Sequence, residues 1–194
     1  MKKKKFVLAC LAVSIIVGAI YFLMIPDVRN RPLTTREIML FNPQGGETVE
    51  LFEVRRGQYE LHLYHYHLGE RIKGELFNSI YIPNRTGMVA FYSEIVEDSN
   101  IGIGMRTEAF TASLLFEMEL EGEYPSISWG PVGDNIQSLS VGEEKVLMTY
   151  QIESGGYAFF TMNIPAKFSD FEDLIDNVED VAEHMALITI TRVE

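Results

Sequence analysis

The 194-residue chain carries 28 acidic against 16 basic side chains, and four of those cations are the lysines at positions 2–5. Beyond them 12 cations face 28 acids, a net charge of −16 that repels nucleic acid and anionic lipid headgroups. The only cysteine, Cys10, lies in the apolar N-terminal run, so disulfides, thiolate catalysis, zinc–cysteine sites and iron–sulfur clusters are excluded from everything after it.

In chain order, residues 1–5 form a basic cytoplasmic flank, and residues 6–25 an uncharged apolar run of 20 residues closed by Pro26-Asp27. At about 1.5 Å per helical residue the run spans roughly 30 Å, the thickness of a bilayer's hydrocarbon core. Three readings compete. A cleaved secretory signal would use Val17-Gly18-Ala19, but Ile20 to Ile25 continue apolar where a cleaved signal turns polar. A lipoprotein would be processed before Cys10, yet only the four residues Phe6 to Ala9 separate it from the lysines. A retained transmembrane signal anchor uses the whole run, and the residues favour it. Lys2 to Lys5 before the span, against Arg29, Arg31 and Arg36 after it, place the N-terminus in the cytoplasm and the remainder outside the cell membrane. A lysine-rich signal and a cysteine-free exported domain read as Gram-positive bacterial.

Residues 26–36 are polar, contain Pro32 and read as a linker, with residues 37–194 forming one extracytoplasmic domain. Short runs of β-branched and aromatic residues, punctuated by Gly, Pro, Asn and Asp, predict strands near 37–41, 48–55, 58–67, 73–82, 88–96 and 101–107. Further strands are expected near 109–120, 126–129, 145–153, 156–164 and 186–193. Arg56-Gly57, Leu68-Gly69-Glu70 and Ser154-Gly155-Gly156 look like hairpin connections. Val146, Met148, Tyr150 and Ile152 alternate cleanly, although Leu147 breaks the pattern. Many short strands predict a mainly β domain, an antiparallel β-sandwich or jelly roll. One amphipathic C-terminal helix is expected over about 170–184. Ser169-Asp170-Phe171-Glu172 reads as its capping box, and Phe171, Leu174, Ile175, Val178, Val181, Ala182 and Met185 as its apolar stripe.

His65 and His67, two apart on a strand, share a face and are the candidate metal ligands, while His62 points the other way. The segment from Gly57 through His65, His67 and Glu70 to Gly74 resembles the first metal motif of the cupins, a jelly-roll family. The spacing departs from that motif, and the second motif is missing: His184, the only other histidine, is expected on the helix. Asp173, Asp176, Glu179, Asp180 and Glu183 form a candidate partner-docking face on that helix, weighed against a merely solvated face. Tyr64, Tyr66, Tyr81, Tyr92, Trp129 and Tyr157 are candidates for a carbohydrate-stacking surface. The glycines of Ile101-Gly102-Ile103-Gly104 suggest close packing or a bulge. Enzyme signatures such as G-x-S-x-G, a P-loop, G-x-G-x-x-G or H-E-x-x-H are absent, and no cofactor is implied. The expectation is a non-catalytic anchored domain acting through an unknown protein partner, or as a sensory or accessory domain. The alternative is a ligand-binding module for cell-wall carbohydrate or a divalent metal ion.

Overall fold

The computed structural model describes residues 10–18, 20, 25–41, 48–96, 100–107, 111–116, 126–133, 135–153, 164–176 and 182–194. Their strands are β1 (Val28–Arg31), β2 (Thr48–His67), β3 (Glu70–Val96), β4 (Asn100–Thr107) and β5 (Thr111–Phe116). β6 (Ser126–Pro131), β7 (Asn135–Ile136), β8 (Glu144–Glu153) and β9 (His184–Arg192) complete them, with two helices, α1 (Thr35–Phe41) and α2 (Phe168–Ile175). The domain is mainly antiparallel β. Its strands make one hydrogen-bonded sheet, ordered β5-β4-β3-β2-β9-β8-β6 with β1 paired to β2 off this path and β7 paired to β1, rather than two separate sheets.

The expected strand pairs 48–55/58–67 and 73–82/88–96 are in fact two very long strands. β2 runs through Arg56-Gly57 as a bend and not as a hairpin, because β3 pairs with it on both sides of that point. At the bend Pro83, Asn84 and Arg85 of β3 stand opposite Arg56 alone, a bulge that suits a proline with no N–H for the ladder. The Tyr59 hydroxyl donates to the Arg55 carbonyl at 2.9 Å and pins the bend. β2's other edge is divided: β1 pairs with residues 51–54 and β9 with residues 59–67. The sheet curls at this division. Phe52, Phe91, Ile103 and Met105 from one arm and Leu61, Met148, Tyr150 and Ile188 from the other therefore join a single buried cluster. Burying such side chains contributes about 1.5–3 kcal/mol each, the main term holding the two arms together.

The convex side is covered twice. α1 lays Phe41 against Leu51 and Ala90, and α2 lays Phe168, Phe171 and Ile175 against Tyr66, Val146, Met185 and Leu187. Residues 37–41 were expected to be a strand and are helical. The cause is a capping box one step upstream: Glu37 accepts from the Thr34 N–H at 2.8 Å and from its hydroxyl at 2.7 Å. The expected linker likewise contains β1, where Val28 is buried in the core and Asp27 accepts from the Leu139 N–H at 2.8 Å.

Leu147 breaks the alternation of β8 because the register shifts there, turning Val146 to the α2 side and Leu147 to the inner core. Gly104 was read as a site of close packing, and Tyr92 lies directly over it. The expected strand at 156–164 falls on residues outside those described, apart from Ile164. Residues 10–18 are helical, with Leu11, Val13, Ile15, Ile16 and Val17 each more than half exposed. Among the described residues no helix is long and apolar enough to cross a membrane. Of the expected span, residues 6–9, 19 and 21–24 lie outside them.

Candidate functional site: a cluster of three histidines

Strand alternation carries Tyr59, Leu61 and Leu63 into the inner core and continues to His65 and His67 at the end of β2. Both register shifts of this arm place the extra residue on β3, so β2 keeps its alternation as the two histidines require. His184 was expected at the end of a long helix. Instead α2 ends at Ile175, and His184 opens β9, two residues before the strand was expected to start. It pairs directly with His67, and Ala186 pairs with His65. His184 shares its face with Ala186, Ile188 and Ile190, so it too turns inward. The third histidine missing from the sequence reading is thus supplied by the neighbouring strand.

Nδ1 of His184 lies 3.2 Å from Nε2 of His65 and 3.4 Å from Nδ1 of His67. The His184 ring stacks on His65 at 5.4 Å and tilts against His67 at 4.5 Å. A neutral imidazole nitrogen carries either one proton or one lone pair, so His184 Nδ1 serves two neighbours only by sharing. Its other nitrogen, Nε2, is buried with no hydrogen-bond partner, and the Glu183 carboxylate stands 3.9 Å away. Burial holds the His65 pKa down to about 4, reinforced by His184, His67 and Lys73. Burial also lowers His184, with His67 adding to the effect and Glu183 opposing it. Both shifts favour the neutral rings of His65 and His184, each of which then keeps a nitrogen lone pair. As the rings stand, the described residues contain no group of three or more His, Cys, Asp or Glu set to hold a metal ion.

His62 faces the opposite way, as its position in the alternation requires. There Glu144 gathers the Tyr64 hydroxyl at 2.9 Å, the Thr189 hydroxyl, and His62 Nδ1 at 3.7 Å. Tyr64 is pushed well above its ordinary pKa by burial and by that carboxylate. Glu144 gave no sign in the sequence, where it is one acid among 28.

The acidic face does not form on one helix. Asp173 lies on α2 and Asp176 caps it, both exposed, whereas Glu183 directly precedes β9; Glu179 and Asp180 lie outside the described residues. The helix also finds cations in its own chain: Arg71 meets Glu172 at 3.0 Å and Lys167 meets Asp170 at 3.8 Å. Its cap differs from expectation. The helix starts at Phe168, with Lys167 at the cap position making no capping hydrogen bond from its side chain, and Ser169 donates to Asp170 instead. Phe168 stacks on Tyr64 at 4.4 Å, and this packing draws the helix start two residues upstream of the capping-box position.

The aromatic platform is dispersed. Tyr66 and Tyr92 are buried, Tyr64 lies under Phe168, and Trp129 stacks on Tyr150 at 6.1 Å. Tyr81 is exposed but far from them in the register, and Tyr157 lies outside the described residues. Compared with protein-family models, curated proteins and solved structures, the chain matches none.

Proposed function

We propose that the chain is a single-pass membrane protein displaying a non-catalytic, sandwich-like β domain outside the cell, where it acts through a protein partner or as a sensory or accessory domain. The observation that carries this reading is the helical stretch at 10–18. Its large apolar side chains are more than half exposed, with no part of the described domain covering them, although water penalises that exposure. Lipid is the solvent that removes the penalty, and the full uncharged run has the length to span it. The curl of the sheet gives the domain two facing arms around one core, as the two layers of a sandwich have. The full-length protein is expected in the membrane fraction, resistant to high-salt wash, with protease reaching the domain only from outside. Recovery of a soluble form beginning at Ile20 would refute the anchor.

The histidine cluster favours a second reading, a divalent metal-binding module. In a tetrahedral site with bonds of about 2.0–2.1 Å, ligand nitrogens lie about 3.3 Å apart. The two spacings around His184 Nδ1 are close to that edge. Small ring rotations would complete the set. Titrating the metal-free full chain with Co²⁺ is expected to give visible ligand-field bands that vanish in His184→Ala. A featureless spectrum excludes this reading and leaves the anchored domain untouched.

A further inference from the structure

Where the chain leaves the apolar run, Ile25 and Pro26 border an open cleft of about 420 Å³ whose charged lining is Arg29, Arg55, Arg85 and Glu53. Three cations to one acid inverts the balance of a domain with 12 cations and 28 acids. Each arginine arrives there by a different element. Arg29 lies on β1 opposite Glu53, and Arg55 closes the first half of β2 opposite Thr86. Arg85 ends the three-residue bulge that Pro83 begins at the bend of β3.

The domain's other cations are largely occupied by its own chain. Arg31, Arg55, Arg71, Lys73, Lys145 and Lys167 pair with carboxylates. Arg106 and Arg192 donate to the carbonyls of Phe41 and Glu194. Among the described residues, Arg29, Arg36, Arg56 and Arg85 have no such partner, and two of these four share the one cleft. Carboxylates outnumber cations more than twofold here, so shortage does not explain the vacancy. Arg55 is different again: Asp27, itself buried and tied to the Leu139 N–H, holds its guanidinium at 3.0 Å.

We propose that this cleft is a binding site for a phosphate-type oxyanion, contacted by Arg29 and Arg85 and backed by Arg55. The guanidinium fork matches phosphate oxygens with parallel N–H donors, and Thr86, also in the lining, adds a neutral hydroxyl. The domain's net negative charge opposes anions at a distance. At physiological salt, however, fields from exposed charges are screened beyond about 8 Å, so the local arginines decide binding in the cleft. The phosphate comes either from solution or from a lipid headgroup, the latter brought close by Ile25-Pro26 if residues 6–25 are retained in the bilayer. The site itself stands without the anchor.

The full chain in a neutral detergent is titrated with inorganic phosphate and, at matched ionic strength, with chloride, following the thermal midpoint. In parallel it is placed in nanodiscs of phosphatidylcholine alone or mixed with phosphatidylglycerol, and the lipid it retains on extraction is identified by mass spectrometry. A rise with phosphate and not with chloride assigns a free anion, and preferential retention of phosphatidylglycerol assigns the headgroup; either supports the site. Arg29→Gln and Arg85→Gln should each weaken the response about tenfold, equivalent to about 1.4 kcal/mol, while Arg36→Gln leaves it unchanged. Circular dichroism verifies that each variant keeps its fold. No response to either source, or a response that survives the double substitution, overturns the proposal.

Discussion

Acidification from pH 7 to pH 5 is expected to destabilise this domain through His65. The ring is 8% exposed and faces His184 at 3.2 Å, with His67 beyond it and Lys73 opposite on β3. Its pKa falls from an ordinary 6.5 to about 4 on folding, burial being the first cause and the neighbouring His184, His67 and Lys73 adding to it. Between those values the unfolded chain binds a proton that the folded chain refuses, so stability drops as pH falls. A shift of that size corresponds to about 3 kcal/mol in full and about 2 kcal/mol by pH 5, against a typical domain stability of roughly 5–15 kcal/mol. His184 acts in the same direction. Glu37, whose pKa is held to about 2 by Arg31 and Thr34, loses its contribution only below its ordinary 4.5, so the window from 6.5 to 4.5 isolates the histidines. Urea unfolding followed by the fluorescence of the single tryptophan, Trp129, which stacks on Tyr150, gives the midpoint at each pH. The wild-type midpoint should fall steadily from pH 7 to pH 5 and that of His65→Gln should fall much less. Equal slopes for the two proteins, or a flat wild-type profile, would refute the reasoning.

Three further outcomes follow from packing. Gly104→Ala would place a Cβ 1.9 Å from Cζ of Tyr92, a buried ring held beneath Arg106 at 4.2 Å, and should cost about 1–3 kcal/mol in urea unfolding. The same change in a Tyr92→Leu background should cost much less, and equal costs would show that the ring is not the obstacle. Leu68 has a φ of 48° in the hairpin turn and is 66% exposed, so Leu68→Asn should stabilise by about 1 kcal/mol; a lower midpoint would contradict this. Asp27→Ala deprives the Leu139 N–H and Arg55 of their carboxylate and should lower stability by about 2–3 kcal/mol in the same assay, whereas a neutral result would mean that solvent replaces both bonds.

The strand content was legible because β-branched and aromatic residues alternate with turn residues on short range. What stayed hidden depends on partners distant in the chain. The capping-box spacing occurs at Thr34–Glu37 as well as at Ser169–Glu172, and local pattern does not rank the two. The first forms because Arg31 leaves β1 in position to pair with Glu37, and the second is overridden by the seat of Phe168 on Tyr64, 104 residues earlier in number. Asp27 to Arg31 read as linker since only one of those five residues, Val28, is apolar, yet Val28 and Asp27 each have partners beyond residue 50. The metal candidates His65 and His67 were legible from spacing alone. His184 was not, because the apolar stripe extends helical periodicity through Ala182 and Met185, whose burial is in fact due to the start of β9.

β2 also sets the distance between the two candidate sites. Arg55 and His67 are 12 residues apart on it, at most about 40 Å at 3.3 Å per residue and less after the bend. No side chain is shared between the arginine cleft and the histidine cluster, and the curled core lies between them. Sites separated in this way couple weakly, so substitutions at one should leave ligand response at the other within about 0.5 kcal/mol. In the anchored reading the separation has a direction. Ile25 and Pro26 put the arginine cleft at the side from which the chain enters the bilayer, while the histidines and α2 occupy the far end of β2. A partner or ion bound there would not compete with the membrane for the domain. Anion response and cobalt response should therefore be lost independently, Arg85→Gln sparing the histidine cluster and His184→Ala sparing the cleft; loss of both from either substitution would mean that the bend of β2 transmits between them.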